Sequence, residues 1–288
     1  NKWLTEFLHE MKKRDLVWTV GGMRVSTISK EMMSDMKGAG CVNLIFGMET
    51  GSQKILDVME KKTTVEQNKN ALKWVTELGL STNVRLVLGM PGESPETVAE
   101  TVEFVSFYSE LSPNVDSNDL AVNFAQALPG TPLYEIGRTQ GSIGHSVVDE
   151  EKYLFDISDK AAADGETSIN FTDYPRLMQE RWHFEILNAA RVSYIRKWGL
   201  DKYYDILLRT MVGDFFKNKD PRNMSKISFF FILIKSLVRK EIAMGQVSMF
   251  CPMLFHRLSF LLTFFEFANV IRKYGYPHAV KMLFEYLQ

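Results

Sequence analysis

A chain of 288 residues, 45% hydrophobic and 12% aromatic, carries enough apolar mass for one large core or two modest ones, which excludes a disordered protein. Its 34 Lys and Arg against 35 Asp and Glu leave a formal net charge of -1, so no global basic field exists to hold a nucleic-acid backbone. Cys41 and Cys251 are too far apart for a CxxC pair, which excludes a disulfide framework and a cysteine-only metal site and points to a reducing, cytoplasmic location.

The chain opens on Asn1, and Trp3 to Met11 already reads as an amphipathic helix with no targeting pattern ahead of it, so a start in mid-domain is expected. Trp18-Thr19-Val20 reads as a first strand ending at Gly21-Gly22. A helix follows from about Ser29, with Met32, Met33 and Met36 on one face, and stops at Gly38 or Gly40. Val42 to Phe46 is a second strand broken at Gly47. Thr64-Val65-Glu66-Gln67 is a capping box that opens a helix burying Ala71, Leu72, Val75 and Leu78. Thr82 to Leu88 is a third strand, broken by Gly89-Met90-Pro91-Gly92, after which Ser94-Pro95 starts a helix with Val98, Val102 and Val105 inside. Ala121 to Gln126 is a fourth strand, closed by Leu128-Pro129-Gly130-Thr131-Pro132.

This alternation of strand and helix is the pattern of a parallel sheet, and four units in a row predict an α/β fold: a partial (β/α) barrel over residues 1–141. Residues 142–174 are polar and irregular, with Asp156, Asp159, Asp164 and Asp173, and are expected to be a linker or a lid over the barrel mouth. Residues 175–288 read as an all-helical C-terminal domain, with helices over Leu177–Trp198, Lys202–Phe216, Ser225–Met244 and Ser248–Tyr274. Their Phe and Met suit irregular core packing. No apolar run reaches the roughly 20 residues of a spanning helix. The closest, Ile227–Ile234 and Leu258–Phe265, are short and flanked by Lys226, Lys235, Arg257 and Glu266.

In a parallel barrel the loops after the strands form the active face. Three such loops carry polar groups. The first, Phe46-Gly47-Met48-Glu49-Thr50-Gly51-Ser52, sets a carboxylate and two hydroxyls between glycines; the plainer reading is that Thr50 or Ser52 caps the next helix. The second, Arg85 to Glu93, joins an apolar strand to a tight Gly/Pro turn with a carboxylate at the helix entrance, where it would also suit the helix dipole. The third places Pro129 and Pro132 around Gly130, a rigid loop whose backbone could hydrogen-bond a flat heterocycle. His145, His183 and His256 have no metal-ligand spacing and are given no role.

Phe46 to Ser52, Ile55 to Thr64, Arg85 to Glu93 and Leu128 to Tyr134, taken together, resemble radical SAM enzymes, in particular the class with a cobalamin-binding domain. The resemblance spans about residues 14 to 135 and implies that the four strands are the third to sixth of a radical SAM TIM-type barrel. It implies that Glu49, with Ser52 beside it, meets the methionyl or ribose part of S-adenosylmethionine (SAM), and that Lys61 pairs with the SAM carboxylate. Gly89 and the Arg85 to Glu93 run would pack near the adenosine, Leu128 and Pro129 would contact adenine, and Arg24 would face the substrate or brace the barrel.

The chain departs from the family in lacking any CxxxCxxC loop, whose three thiolates hold a 4Fe-4S cluster. Two βα units and a cobalamin domain are therefore expected ahead of Asn1 in a longer parent, with the cluster ligands outside this chain. The chain alone is expected to be inactive and, with the edge of its first strand bare, poorly soluble. In the parent, SAM, the cluster and cobalamin would drive radical oxidoreduction or methylation of a small-molecule substrate, with electrons from a flavodoxin or ferredoxin. Two alternatives stand beside this reading. One is a barrel enzyme of another kind, with Glu49 and Glu93 in acid–base roles. The other is a non-catalytic module whose Phe-rich Ile227–Leu237 stretch binds a partner or a membrane surface.

Overall fold

The computed structural model describes residues 2–158, 168–211, 249–257, 267–268, 270–271 and 275–287. The expected helix over 225–244, the apolar runs 227–234 and 258–265, and the Ile227–Leu237 stretch lie outside the described residues, as do Asp159 and Asp164. Helix α1, Lys2–Lys13, leads into four strands: β1 Trp18–Met23, β2 Cys41–Glu49, β3 Val84–Leu88 and β4 Leu120–Phe124. They form one parallel sheet in the order β1-β2-β3-β4. The connections hold α2 (Lys30–Gly38), α3 (Gln53–Val58) with α4 (Val65–Glu77), and α5 (Pro95–Ser109); α6 (Pro132–Thr139) follows β4. The α/β architecture and its four βα units are as the sequence predicts.

The helix starts follow local chemistry. Ser29 Oγ accepts from Met32 N, and in the Thr64 capping box Thr64 Oγ1 accepts from Gln67 N while Gln67 Oε1 accepts from Thr64 N at 2.9 Å. Strand faces follow alternation. Leu44, Phe46 and Met48 of β2, Val84, Leu86 and Leu88 of β3, and Leu120, Val122 and Phe124 of β4 are buried. They form one core with Ala71, Leu72 and Val75 of α4 and Val98, Phe104 and Val105 of α5. Asn43, Ile45, Gly47 and Glu49, Arg85 and Val87, and Ala121 and Asn123 therefore share the opposite face, none of them buried.

Two expected strand ends are corrected. Gly47 does not break β2, which pairs through Gly47↔Arg85 and ends at Glu49. Likewise β1 runs through Gly21 and Gly22 to Met23, absorbing Gly22 at φ 73° in a register shift. The segment expected to be irregular contains a helix, α7, over Val147–Ser158. Every described element after residue 175 is a helix: α8 Arg176–Trp198, α9 Leu200–Met211, Pro252–Arg257 and Tyr276–Leu287. Helix α8, expected to open a separate domain, lies along α5 and puts Trp182, Ile186 and Ala190 into the core of the sheet. A second apolar cluster joins Phe184 and Tyr194 of α8 to Tyr203 and Leu207 of α9 and to Phe250 and Phe255. Among the described residues no helix is long and apolar enough to cross a membrane.

Candidate functional site

Because the strands are parallel, the three polar loops leave the sheet at one edge. They are tied there by an apolar cluster of Ile55 from the first loop, Met90 from the second, and Ala125, Ala127 and Tyr134 from the third.

At the end of β2, Glu49 sits at φ 64°, a left-handed conformation that costs a non-glycine residue about 1 kcal/mol or more. It turns the carboxylate back along the strand, so that a Cβ on Gly47 would lie 2.5 Å from Glu49 Oε1. Gly47 thus leaves room for the Glu49 side chain. The next residues form a buried hydroxyl chain. Thr50 Oγ1 and Thr101 Oγ1 are 3.0 Å apart, Gly51 N donates to Thr101 Oγ1, and Ser52 N donates to Thr50 Oγ1 at 3.1 Å. Asn68 Nδ2 donates to Met48 O at 3.0 Å and holds the strand end from α4. Gly51 is obligatory, because a Cβ there would meet Phe104 Cβ at 2.5 Å and the backbone of Glu100 and Thr101 at 2.7 Å.

Ser52 occupies the N-cap of α3, but its hydroxyl makes no capping bond. The side chain is fully buried and Oγ has no hydrogen-bond partner. A buried hydroxyl without a partner is costly and calls for a ligand or a mechanistic reason. Lys61, expected to meet a ligand carboxylate, places Nζ 2.5 Å from Glu49 Oε1, with the two side chains 37% and 15% exposed. It is carried there by a tight turn with Glu60 and Lys62 both at φ 52°. An ammonium has three donors, so this pairing leaves Lys61 further capacity.

At the end of β3, Gly89 takes φ 92° and starts the turn. Glu93, expected near a ligand or a helix dipole, is 3% exposed and braces that turn instead: Oε2 accepts from Gly89 N at 2.5 Å and from Met90 N at 3.2 Å. Burial outweighs these two bonds and pushes its carboxyl up to about 7 from 4.5. A carboxylate held by two backbone N–H groups inside the turn positions the loop, which is a poor arrangement for acid–base work on a substrate. Arg85 is exposed on the open face, one layer below Glu49 and opposite Gly47. After β4, Leu128 and Pro129 are exposed and Gly130 takes φ 81°. Thr131 Oγ1 accepts from Tyr134 N and donates to Leu128 O at 2.7 Å, while Tyr153 OH from α7 donates to Ala127 O. Arg24 follows β1 at the same edge and is exposed.

Sequence reasoning passed over three groups at this edge. Asn68 and Thr101 each interrupt the buried stripe of an amphipathic helix, at spacings shared with Ala71, Leu72 and Val75 and with Val98 and Val105, and that interruption is a readable signal. Gln179, fully buried at the start of α8, brings Oε1 to within 3.7 Å of the Cβ position of Gly89 and accepts from Arg176 Nη1. Only the packing of α8 brings Gln179 there.

The Radical SAM superfamily model matches residues 4–105, from α1 into α5, and so takes in both the Glu49 and Glu93 loops. That match bears out the resemblance to radical SAM enzymes read from the sequence. It is 31% identical over 121 residues to an uncharacterized methyltransferase of Pyrococcus horikoshii, covering 42% of this chain and 25% of that protein. It is 30% identical over 154 residues to an anaerobic magnesium-protoporphyrin IX monomethyl ester cyclase of Rubrivivax gelatinosus, covering 52% and 26%. The chain therefore spans about a quarter of the length of these curated relatives. Among solved structures it is similar to the radical SAM methyltransferase TsrM of Kitasatospora setae with cobalamin and a 4Fe-4S cluster bound. That likeness has a TM-score of 0.40 at 22% identity over 49% of this chain and 29% of the other.

The cofactors of the radical SAM superfamily meet different fates here. The polar groups at the strand ends suit SAM by their chemistry: Ser52 Oγ is a buried hydroxyl without a partner, and Glu49 offers a carboxylate held by Lys61. A 4Fe-4S cluster does not fit the described residues. Cys41 is buried in the sheet core with its thiol on Asn43 O and pushed up by burial, and Cys251 is pushed up to about 11. Among the described residues no three His, Cys, Asp or Glu side chains cluster to hold a metal.

Proposed function

We propose that this chain forms the SAM-binding side of a radical SAM enzyme, with the loops after β2, β3 and β4 as its contact surface. The observation that carries the reading is Ser52, whose buried hydroxyl lacks a partner in a strand-end loop within residues 4–105, the part that matches the Radical SAM superfamily model. Ser52 and Glu49 would bind the hydroxyl and amino-acid end of the ligand. Lys61, already on Glu49, would hold that carboxylate in place and offer its remaining N–H donors to the ligand's own carboxylate. Gly89 and its neighbours, kept in their turn by Glu93, would lie along the nucleoside, and Leu128 and Pro129 would cover a base with apolar surface. SAM bound at a reduced cluster supplies one-electron chemistry that opens an unreactive C–H bond, and the cluster ligands would come from outside this chain. Radical methylation or oxidoreduction of a small molecule, with cobalamin in a separate domain and a flavodoxin or ferredoxin as reductant, remains the proposed setting. A cytoplasmic location belongs to the same proposal.

Titration calorimetry of the chain with SAM and with 5′-deoxyadenosine tests the contact surface without requiring the cluster. Ser52→Ala is expected to weaken both ligands by about tenfold, the value of one buried hydrogen bond, with unchanged circular dichroism. Equal affinity in the parent and in Ser52→Ala would remove Ser52 from the site.

A further inference from the structure

Away from the strand ends, a cavity of about 320 Å³ lies on the outer flank of the molecule between α5, α8 and the helix Pro252–Arg257. Arg181 and Arg196 of α8 and His256 line it. Arg181 Nη1 donates to Tyr286 OH at 2.8 Å, and Arg196 Nη2 lies 2.5 Å from His256 Nε2. Among the described residues neither guanidinium forms an ion pair with a carboxylate. The two guanidinium cations line one space with Glu185 as the single acidic residue of its lining, and burial together with Arg196 holds His256 below its usual 6.5, as a neutral ring that accepts from Arg196. An anion in the cavity would relieve both effects.

The same walls also present acceptors. Asn188 is 4% exposed, and its Oδ1 has no partner while Nδ2 makes only a 3.4 Å bond to Pro252 O. Glu185 lines the cavity without an ion pair among the described residues. A fully deprotonated oxyanion would satisfy the arginines and leave the Glu185 carboxylate facing its lone pairs. An oxyanion that keeps a proton satisfies both sets, its oxygens accepting from Arg181, Arg196 and His256 while its O–H donates to Glu185.

We infer that this cavity is a phosphate site, built for a hydrogen-bearing phosphate group as free phosphate or a small phosphate monoester, and separate from the SAM contact surface. Titration calorimetry of the chain with inorganic phosphate, with sulfate at matched ionic strength and with glycerol phosphate tests it. Phosphate is expected to bind at least about tenfold more tightly than sulfate, and Arg196→Gln to lose about tenfold, the value of one charge-assisted contact. Arg196 is exposed, so this variant keeps its fold. Glycerol phosphate binding more tightly than inorganic phosphate assigns the natural ligand as a monoester, and the reverse order assigns it as free phosphate. In nuclear magnetic resonance titrations the His256 ring should titrate at higher pH when phosphate is present. Phosphate binding no better than sulfate, unchanged affinity in Arg196→Gln, or an unmoved His256 titration would each overturn the assignment.

Discussion

Glu93 allows a quantitative test of how the turn after β3 is held. Its carboxyl lies at about 7 in the folded chain against 4.5 in an unfolded one, and at 1.36 kcal/mol per pH unit this amounts to about 3 kcal/mol. The folded value is the higher one, so between these limits the native state binds the additional proton. The stabilisation is complete below pH 4.5 and is lost as pH rises through about 7. Glu93→Gln keeps an oxygen for Gly89 N and Met90 N and carries no charge, so it mimics the protonated side chain. Thermal unfolding from pH 5 to pH 8.5 is expected to show the parent losing about 6 to 12 °C more than Glu93→Gln, at about 2 to 4 °C per kcal/mol for a chain of this size. Glu93→Ala removes the acceptor and leaves two buried N–H groups unpaired, at about 1 to 3 kcal/mol each at every pH. Parallel pH profiles for the parent and Glu93→Gln would refute the argument, because ionisation of Glu93 would then carry no cost.

Other substitutions separate support from binding. Gly51→Ala should destabilise by about 3 kcal/mol or yield no soluble protein, since its Cβ would meet backbone rather than a movable side chain, and urea unfolding reads this directly. Gly47→Ala meets only the end of the Glu49 side chain, so stability should move by less than about 1 kcal/mol while SAM affinity falls. Lys61→Met should likewise cost about 1 kcal/mol or less in stability, the pair being partly exposed, while calorimetry shows weakened SAM binding. Thr101→Val removes the partner of Thr50 Oγ1 and Gly51 N and should cost about 1 to 3 kcal/mol in urea unfolding.

The parallel four-stranded sheet was legible in the sequence because each unit carries its own punctuation. The Thr64 capping box, the Ser29 cap and the positive-φ turn at Gly89 act within a few residues, where sequence order and spatial order coincide. The end of β2 was misplaced at Gly47 because glycine usually interrupts a strand, whereas here its missing Cβ makes space for Glu49 two residues on. Helix α7 was missed because its polar sequence has no inward stripe: none of its residues is buried.

The sequence by itself determined which residues stand in the loops at the carboxyl ends of the strands, and so the surface proposed to bind SAM: Glu49, Ser52, Lys61, Gly89, Glu93 and the Leu128-Pro129 loop. Strand order, helix caps and glycine turns are set by neighbours along the chain. Only the tertiary structure decided what each side chain does there. It put Lys61 on Glu49, turned Glu93 inward to brace the turn, left Ser52 without a partner, and brought Thr101, Asn68 and Gln179 to the same edge. These outcomes depend on desolvation and on hydrogen bonds between residues 12, 20 and 50 positions apart, and a side chain's burial and partners are fixed only when the helices that cover it have packed.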